Sequence, residues 1–305
     1  MPIKIIALMG PTASGKTGLA IEIARRFGGE IVGADSMQIY RHMTIGTAAP
    51  SADELALAPH HLIGEIDPAT PFTVADWAER ATSAIHDISA RGLTPIVAGG
   101  TGLYFRALFE GLFEAPEPDP EIRRALKERS KSENLYPELE HIDPAAARNI
   151  HPNDAYRITR ALEVYYQTGV PISEHWRKQT PPEKFNALRI GLDLSRAELH
   201  RRINDRAQRM IDSGLIEEVK WLREKGYKRD IWPMRHFGYR YVWAYLEGEI
   251  GLEDALNLLS RDTRRYARRQ LTWFRAVPDI QWFNPTDPAG IMGAVKKFLE
   301  VDEKL

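Results

Sequence analysis

Cysteine is missing from all 305 residues of this chain. That absence rules out disulfides, thiolate zinc sites and cysteine nucleophiles, and it suits a reducing compartment. No stretch approaches the roughly eighteen consecutive apolar residues of a membrane-spanning helix. Met1-Pro2-Ile3-Lys4 leads straight into a core strand rather than a signal peptide. The expectation is a cytoplasmic protein with no membrane partner. The nine histidines show no metal-ligand spacing, and His60-His61 reads as part of a polar loop. There is no internal repeat and no low-complexity tract. Net charge is also nearly missing, at −1, but the total conceals an asymmetry. Residues 1–115 carry a net −4 and residues 196–275 a net +6. A basic region on a near-neutral chain is how a local polyanion site looks in sequence, although many such charges belong to solvated helix faces.

What is present begins with Gly10-Pro11-Thr12-Ala13-Ser14-Gly15-Lys16-Thr17, directly after the apolar run Ile5–Met9. This is the pattern G-x-x-x-x-G-K-[ST] in its required context of a buried strand before and an amphipathic helix after. The glycines let backbone amides close around a polyphosphate. Lys16 adds a point charge, Thr17 can hold Mg²⁺, and the helix that follows aims its N-terminal dipole at the same place. The pattern leaves the ligand open among those of a kinase, an NTPase and a transferase that releases pyrophosphate.

Strand and helix signals alternate over residues 1–112, as in a doubly wound parallel sheet. The expected strands are Ile5–Met9, Glu30–Ala34 and Thr94–Ala98. Thr73-x-x-Asp76 opens a helix that Gly92 stops, and Met43–Pro71 lacks a clear period. The three strands run into the phosphate loop, Asp35-Ser36-Met37-Gln38 and Gly99-Gly100-Thr101-Gly102. In an open parallel sheet such ends converge on one crevice. The acidic, proline-rich segment Glu114–Pro120 marks a boundary, and helical signals fill the chain to Thr180-Pro181-Pro182. Leu188–Leu194 then reads as a strand, Ser195-x-x-Glu198 as a capping box, and Gly251 to about Val277 as a long helix. The expected fold is α/β, a P-loop NTPase-like parallel sheet flanked by helices (1–115 and 187–305) with an all-helical insertion (116–186).

Asp35 has two readings that sequence leaves open: a carboxylate holding Mg²⁺ through water, or a general base for a bound amine or hydroxyl. Thr101, between glycines at a strand end, is expected to touch a ligand. In the long helix Arg261, Arg264, Arg265, Arg268 and Arg275 share one face, while Tyr266, Gln270, Trp273 and Val277 fall on another. Arginines interleaved with aromatics suit phosphate backbones and unstacked bases.

Five blocks then carry a resemblance. They are Gly10–Thr17, Asp35–Tyr40, Gly99–Tyr104, His151–Asp154 with Arg157 and Arg160–Glu163, and Arg269–Arg275. Together, over residues 5 to about 283, they resemble the bacterial tRNA dimethylallyltransferase family. The resemblance implies transfer of a dimethylallyl group from dimethylallyl diphosphate to N6 of the adenosine 3′ of the anticodon, in tRNAs reading U-starting codons, with release of pyrophosphate. It implies that Gly10, Pro11, Thr12, Ala13, Ser14, Gly15, Lys16 and Thr17 hold the diphosphate, with Mg²⁺ on Thr17. Asp35 matches the base, Thr101 contacts diphosphate and target nucleotide, and Arg206 assists the diphosphate, with Arg202 and Arg209 as rivals on one helix. The tRNA anticodon stem-loop is implied to meet Asp35, Ser36, Met37, Gln38 and Thr101, then Arg123 with Tyr156, Arg157, Ile158, Thr159 and Arg160. Further along the chain it would meet Arg235, His236, Phe237, Gly238, Tyr239 and Arg240, then Arg268, Arg269, Gln270, Leu271, Thr272, Trp273, Phe274 and Arg275. Eukaryotic members often carry a C-terminal zinc finger; without cysteines and ending at Leu305, this chain resembles the bacterial form, and a monomer is expected. The alternatives are a cytokinin-forming adenylate transferase, a small-molecule P-loop kinase and an RNA-binding NTPase switch.

Overall fold

A computed structural model describes residues 2–300 except 114, 115, 118 and 179–183. The chain divides into two compact units, Met1–Phe109 with Glu183–Leu305, and Glu110–Pro182. Of the proline-rich boundary segments read from sequence, residues 114, 115 and 118 of Glu114–Pro120 and all of 180–182 lie outside the described residues.

The first unit starts with β1 (Lys4–Met9), α1 (Lys16–Phe27), β2 (Gly29–Ala34), α2 (Ala52–Leu57), β3 (His60–His61), α3 (Val74–Ala90), β4 (Thr94–Gly99) and α4 (Gly102–Glu110). The second holds α5 (Pro120–Arg129), α6 (Tyr136–Ile142), α7 (Pro144–Asn149), α8 (Ala155–Thr168) and α9 (Ile172–Arg177). The first unit resumes with β5 (Asn186–Leu192), α10 (Arg196–Asp212), α11 (Leu215–Glu224), α12 (Phe237–Leu246), α13 (Leu252–Arg275), β6 (Gln281–Phe283) and α14 (Pro288–Glu300). Its six strands form one parallel sheet in the order β3-β2-β4-β1-β5-β6. Strands β1, β2 and β4 are almost continuously buried, as expected of parallel strands covered on both faces. Ile5, Val32, Trp77, Ile85 and Phe105 pack one face, and Ile6, Leu8, Ile23, Ile190 and Val295 the other.

Register explains why three strand ends meet. Met9 pairs with Gly99, and Ala34 pairs with the same Gly99. The residues that follow, Gly10, Asp35 and Gly100, therefore emerge side by side from the carboxyl edge. A side chain at Gly99 would bring Cβ within 2.0 Å of the Ala34 carbonyl oxygen, so the close approach requires glycine.

Local signals hold where they are strong. Thr73 and Asp76 form the reciprocal capping box, and Asp154 and Gly169 cap α8 at its two ends. Three expectations need correction. His60-His61 is a short strand against β2 rather than a loop, pairing with Ile31 and Val32. Its anchor is buried Glu30, which accepts from Arg91 at 2.7 Å and lies 2.7 Å from His61 Nε2. At α10, Ser195 accepts from the Glu198 amide, but Glu198 turns its carboxylate to Arg201 and Arg202, so the box is half made. The sequence reads as strand-like over Asp279–Phe283, but β6 starts only at Gln281, because Asp279 adopts a left-handed φ of 62°.

In the second unit, Leu126, Leu139, Ala147, Leu162 and Ile172 form a separate core. Buried Asp143 ties it together, accepting from the amides of Ala146 and Ser173, each at 2.9 Å.

Candidate active site

The loop after β1 bends through Gly10, Ala13 (φ 63°) and Gly15 (φ 93°) before α1 begins at Lys16. Among the described residues, the amides of Ala13, Gly15, Lys16 and Thr17 make no hydrogen bond. They form a ring of donors at a helix N-terminus, the arrangement that receives phosphate. Lys16 Nζ donates to the carbonyls of Gly10 (2.9 Å) and Pro11 (2.6 Å), folded over the loop. Burial lowers its pKa to about 7; Asp35 opposes the shift and Arg206 adds to it. Ser14 Oγ is buried beside the loop and has no partner among the described residues.

This loop walls a cavity of about 500 Å³ that Asp35, Gln38, Arg202, Arg206, Arg209 and Gln270 also line. A second cavity, of about 280 Å³, is more apolar and has Met37, Met210, Trp232, Phe237 and Tyr266 in its wall, with Arg235, His236 and Arg269. His236 and Phe237 lie ring against ring at 3.8 Å, and Phe237 meets Tyr266 at 5.8 Å. Thr12, Asp35 and Arg206 line both cavities, so the two meet at a carboxylate and a guanidinium.

Asp35 is oriented by its own turn: Oδ1 accepts from the amides of Met37 (2.9 Å) and Gln38 (3.4 Å). Thr101 Oγ1 accepts from the Ser36 amide at 3.0 Å, locking the two strand-end turns together. Arg206 donates to Thr12 Oγ1 (3.1 Å) and the Thr47 carbonyl (3.4 Å). Arg202 is paired with Glu198 at 2.6 Å and lies 3.9 Å from where a Gly15 Cβ would be; of Arg202, Arg206 and Arg209, Arg206 is the one that hydrogen-bonds the loop among the described residues. Burial lowers the pKa of Arg206, and Asp35 opposes the shift.

The remaining residues singled out from sequence divide into surface and interior. Tyr156 is 81% exposed at the start of α8, with Arg157 exposed beside it. Thr159 is half-buried and donates to the Ala155 carbonyl. Ile158, by contrast, packs in the core of the second unit. Arg160 holds buried Glu163 at 2.8 Å and Arg123 holds it at 3.2 Å, so both guanidiniums already serve an interior carboxylate. In the first unit Arg235, Arg240, Arg268, Arg269, Thr272 and Arg275 are exposed. Gly238, Tyr239, Gln270, Leu271, Trp273 and Phe274, also expected to face RNA, are buried or half-buried. Gly238 sits buried against Gly46, and Phe274 packs against Phe105. Tyr239 is buried and donates to Glu218 at 2.8 Å. Trp273 lies where a Gly102 side chain would be, and Leu271 is half-buried against the cluster formed by Leu194 and Ile203. Gln270 is buried and fully hydrogen-bonded to backbone. The Gln38 amide is likewise committed at its nitrogen, which donates to the Ala48 carbonyl at 2.9 Å.

Of the aromatic cavity's wall, sequence reasoning named Met37, Arg235, His236, Phe237 and Arg269 and missed Trp232, Met210 and, as a lining residue, Tyr266. It also missed Glu218, whose carboxylate accepts from the amides of Thr44, Ile45 and Gly46 and so shapes the loop that borders both cavities. A lone glutamate at the start of a helix carries no sequence signal for that role. The arginine face of α13, with Arg196 and His200, lines a further open groove of about 530 Å³.

A parallel α/β sheet, a phosphate-binding loop at its switch point and a carboxylate between that loop and an aromatic cavity define a P-loop-like group-transfer enzyme. The IPP transferase family profile matches residues 38–277, and that of the Isopentenyl transferase family residues 3–62. The chain belongs to the IPP transferase family and is a prenyltransferase. It is 48% identical to tRNA dimethylallyltransferase 1 of Citrifermentans bemidjiense, over 97% of both chains. To the tRNA dimethylallyltransferase of Geobacter sulfurreducens it is 47% identical, over 92% of this chain and 91% of that one. The full-length tRNA isopentenylpyrophosphate transferase of Bacillus halodurans is similar with a TM-score of 0.70 and 38% identity, over 98% of this chain and 99% of that one. A eukaryotic dimethylallyltransferase acting on tRNA has a TM-score of 0.79 at 30% identity, over 98% of this chain and 78% of that one.

Proposed function

We propose that this enzyme transfers a dimethylallyl group from dimethylallyl diphosphate to N6 of the adenosine 3′ of the anticodon, in tRNAs reading U-starting codons. The observation that carries the reading is Asp35 at the junction of a phosphate-binding cavity and an aromatic one. The diphosphate sits in the loop, on the amides of Ala13, Gly15, Lys16 and Thr17 and on the Lys16 ammonium. The adenine leaves its stack and enters from the aromatic side, at a cost of about a few kcal/mol that an unpaired loop base reduces.

As N6 attacks the allylic C1, the C1–O bond breaks and pyrophosphate departs with the bonding pair. Asp35 accepts the N6 proton, oriented by the Met37 and Gln38 amides. Negative charge that builds on the departing oxygen meets the loop amides and Arg206, already held by Thr12 and Thr47, and the Lys16 ammonium once it leaves the Gly10 and Pro11 carbonyls. Thr17 and Asp35 line the same cavity, and the described residues contain no cluster of three or more acidic or imidazole ligands. With Asp35 serving as base, the Thr17 hydroxyl and the substrate's own phosphate oxygens would hold a Mg²⁺ ion. When bound, the ion neutralises charge on the leaving diphosphate. The exposed arginines of α12 and α13, with Tyr156 and Arg157 in the second unit, supply RNA contacts, and a tRNA substrate places the enzyme in the cytoplasm.

Mass spectrometry of tRNA nucleosides after incubation with dimethylallyl diphosphate and Mg²⁺ tests the reading. A dimethylallyl mass gain on the adenosine next to the anticodon is expected. Prenylation of free AMP with none on tRNA would overturn it.

A further inference from the structure

Helix α13 sends three consecutive side chains to three places: Arg268 to the open arginine groove, Arg269 to the aromatic cavity and Gln270 to the phosphate cavity. Gln270 is 5% exposed. Its Oε1 accepts from the Thr12 amide at 2.8 Å, and its Nε2 donates to the Gly100 carbonyl at 2.8 Å. One buried amide thus joins the phosphate loop to the turn after β4. Thr12 is a junction as well, because its hydroxyl accepts from Arg206.

We infer that Gln270 is a positioning residue for the diphosphate loop, not an RNA contact: it fixes the loop from α13 so that the free amides of Ala13, Gly15, Lys16 and Thr17 point at the leaving group. The physical reason lies in the donors and acceptors involved. Thr12 N–H and Gly100 C=O both point into the protein between two loops, and each needs a partner there. A glutamine is the neutral side chain that offers an acceptor and a donor on one rigid amide plane. A carboxylate would lack the donor and would set negative charge beside a diphosphate. Gly100 records the same constraint. It is not among the glycines with positive φ, so its backbone tolerates alanine, yet a Cβ there would lie 2.3 Å from Gln270 Nε2. Glycine at this position makes room for the amide rather than for a turn.

The inference rests on the loop being a diphosphate site, so its test uses inorganic pyrophosphate with Mg²⁺ as the probe, in the absence of RNA. Gln270→Met keeps the side-chain volume and removes both hydrogen bonds. It is expected to weaken pyrophosphate binding, and to raise KM for dimethylallyl diphosphate, about tenfold. KM for tRNA and its salt dependence should stay as in the wild type. Gly100→Ala, by displacing the amide, should reproduce the loss, and adding it to Gln270→Ala should cost nothing more. Melting temperatures show that each variant folds. Unchanged pyrophosphate affinity in Gln270→Met, or a loss confined to tRNA binding, overturns the inference. Failure of the wild type to bind pyrophosphate instead overturns the diphosphate reading, and the inference with it.

Discussion

The two cavities that meet at Asp35 are built in opposite ways. The phosphate cavity has a floor of backbone: within Gly10–Thr17 the amides of Ala13, Gly15, Lys16 and Thr17 are free at a helix N-terminus, and side chains such as Asp35, Arg202, Arg206 and Arg209 complete the wall. The aromatic cavity is made of side chains from α10, α12, α13, the loop after β2 and the 3₁₀ turn Trp232–Arg235. The first can be written in eight letters because one local conformation creates it. The second exists only once distant segments pack. In the proposed reaction a small, highly charged group and a flat base would occupy separate cavities, with one carboxylate, Asp35, lining both.

Asp35→Asn gives the largest expected effect, because it strikes the shared wall. Turnover should fall by about 10²- to 10⁴-fold with tRNA affinity nearly unchanged, as single-turnover and binding measurements would show. Equal losses in both would mean that Asp35 holds substrate rather than moving a proton. Lys16→Ala touches the backbone-built cavity alone and should weaken pyrophosphate binding about 10- to 100-fold, leaving tRNA affinity intact.

The pH dependence of that same lysine sharpens the contrast. Free Lys16 loses its proton above about pH 7 because its desolvation outweighs the pull of Asp35. A bound diphosphate favours the ammonium, so binding takes up a proton, and affinity falls as pH rises above 7, by up to about tenfold per pH unit. Calorimetry of pyrophosphate binding in buffers of different ionisation heat reads the proton uptake. An affinity that stays flat from pH 7 to 9 would place the charged lysine elsewhere. On the RNA side the arginine groove of α13 should behave differently. Arg268→Ala should weaken tRNA binding by a few fold and reduce the salt slope by about one, while pyrophosphate binding is unaffected.

Legibility followed the same division. The strands β1, β2 and β4, the Thr73–Asp76 capping box and the phosphate loop are short-range features, and each was readable from neighbouring residues. Strand β3 was not, since two histidines carry no period and their anchor, Glu30, lies thirty residues earlier. Helical periodicity placed Arg268 and Gln270 on different faces of α13, but it did not say which face meets solvent. The resemblance assigned both to RNA, and burial separates them. Likewise Arg123 and Arg160 read as cationic contacts until Glu163, buried between them, appears as their partner.

Tyr239 makes that last point at the smallest expected effect. Gly238-Tyr239-Arg240 reads as one basic, aromatic contact segment, yet the helix turns Tyr239 inward, where its hydroxyl donates to Glu218. Its ring lies where a side chain on Gly46 would be, within 2.5 Å. Glu218 also holds the amides of Thr44, Ile45 and Gly46, so the hydroxyl supports a loop rather than a ligand. Tyr239→Phe should therefore cost about 1 kcal/mol of stability, the net worth of one hydrogen bond. That corresponds to a fall of about 2 °C in melting temperature for a chain of this size. Affinity for tRNA should stay within twofold, because the lost group never meets solvent. A large fall in tRNA affinity with no change in melting temperature would return Tyr239 to the RNA-facing set and dissolve the boundary drawn here between the packed and the exposed sides of α12.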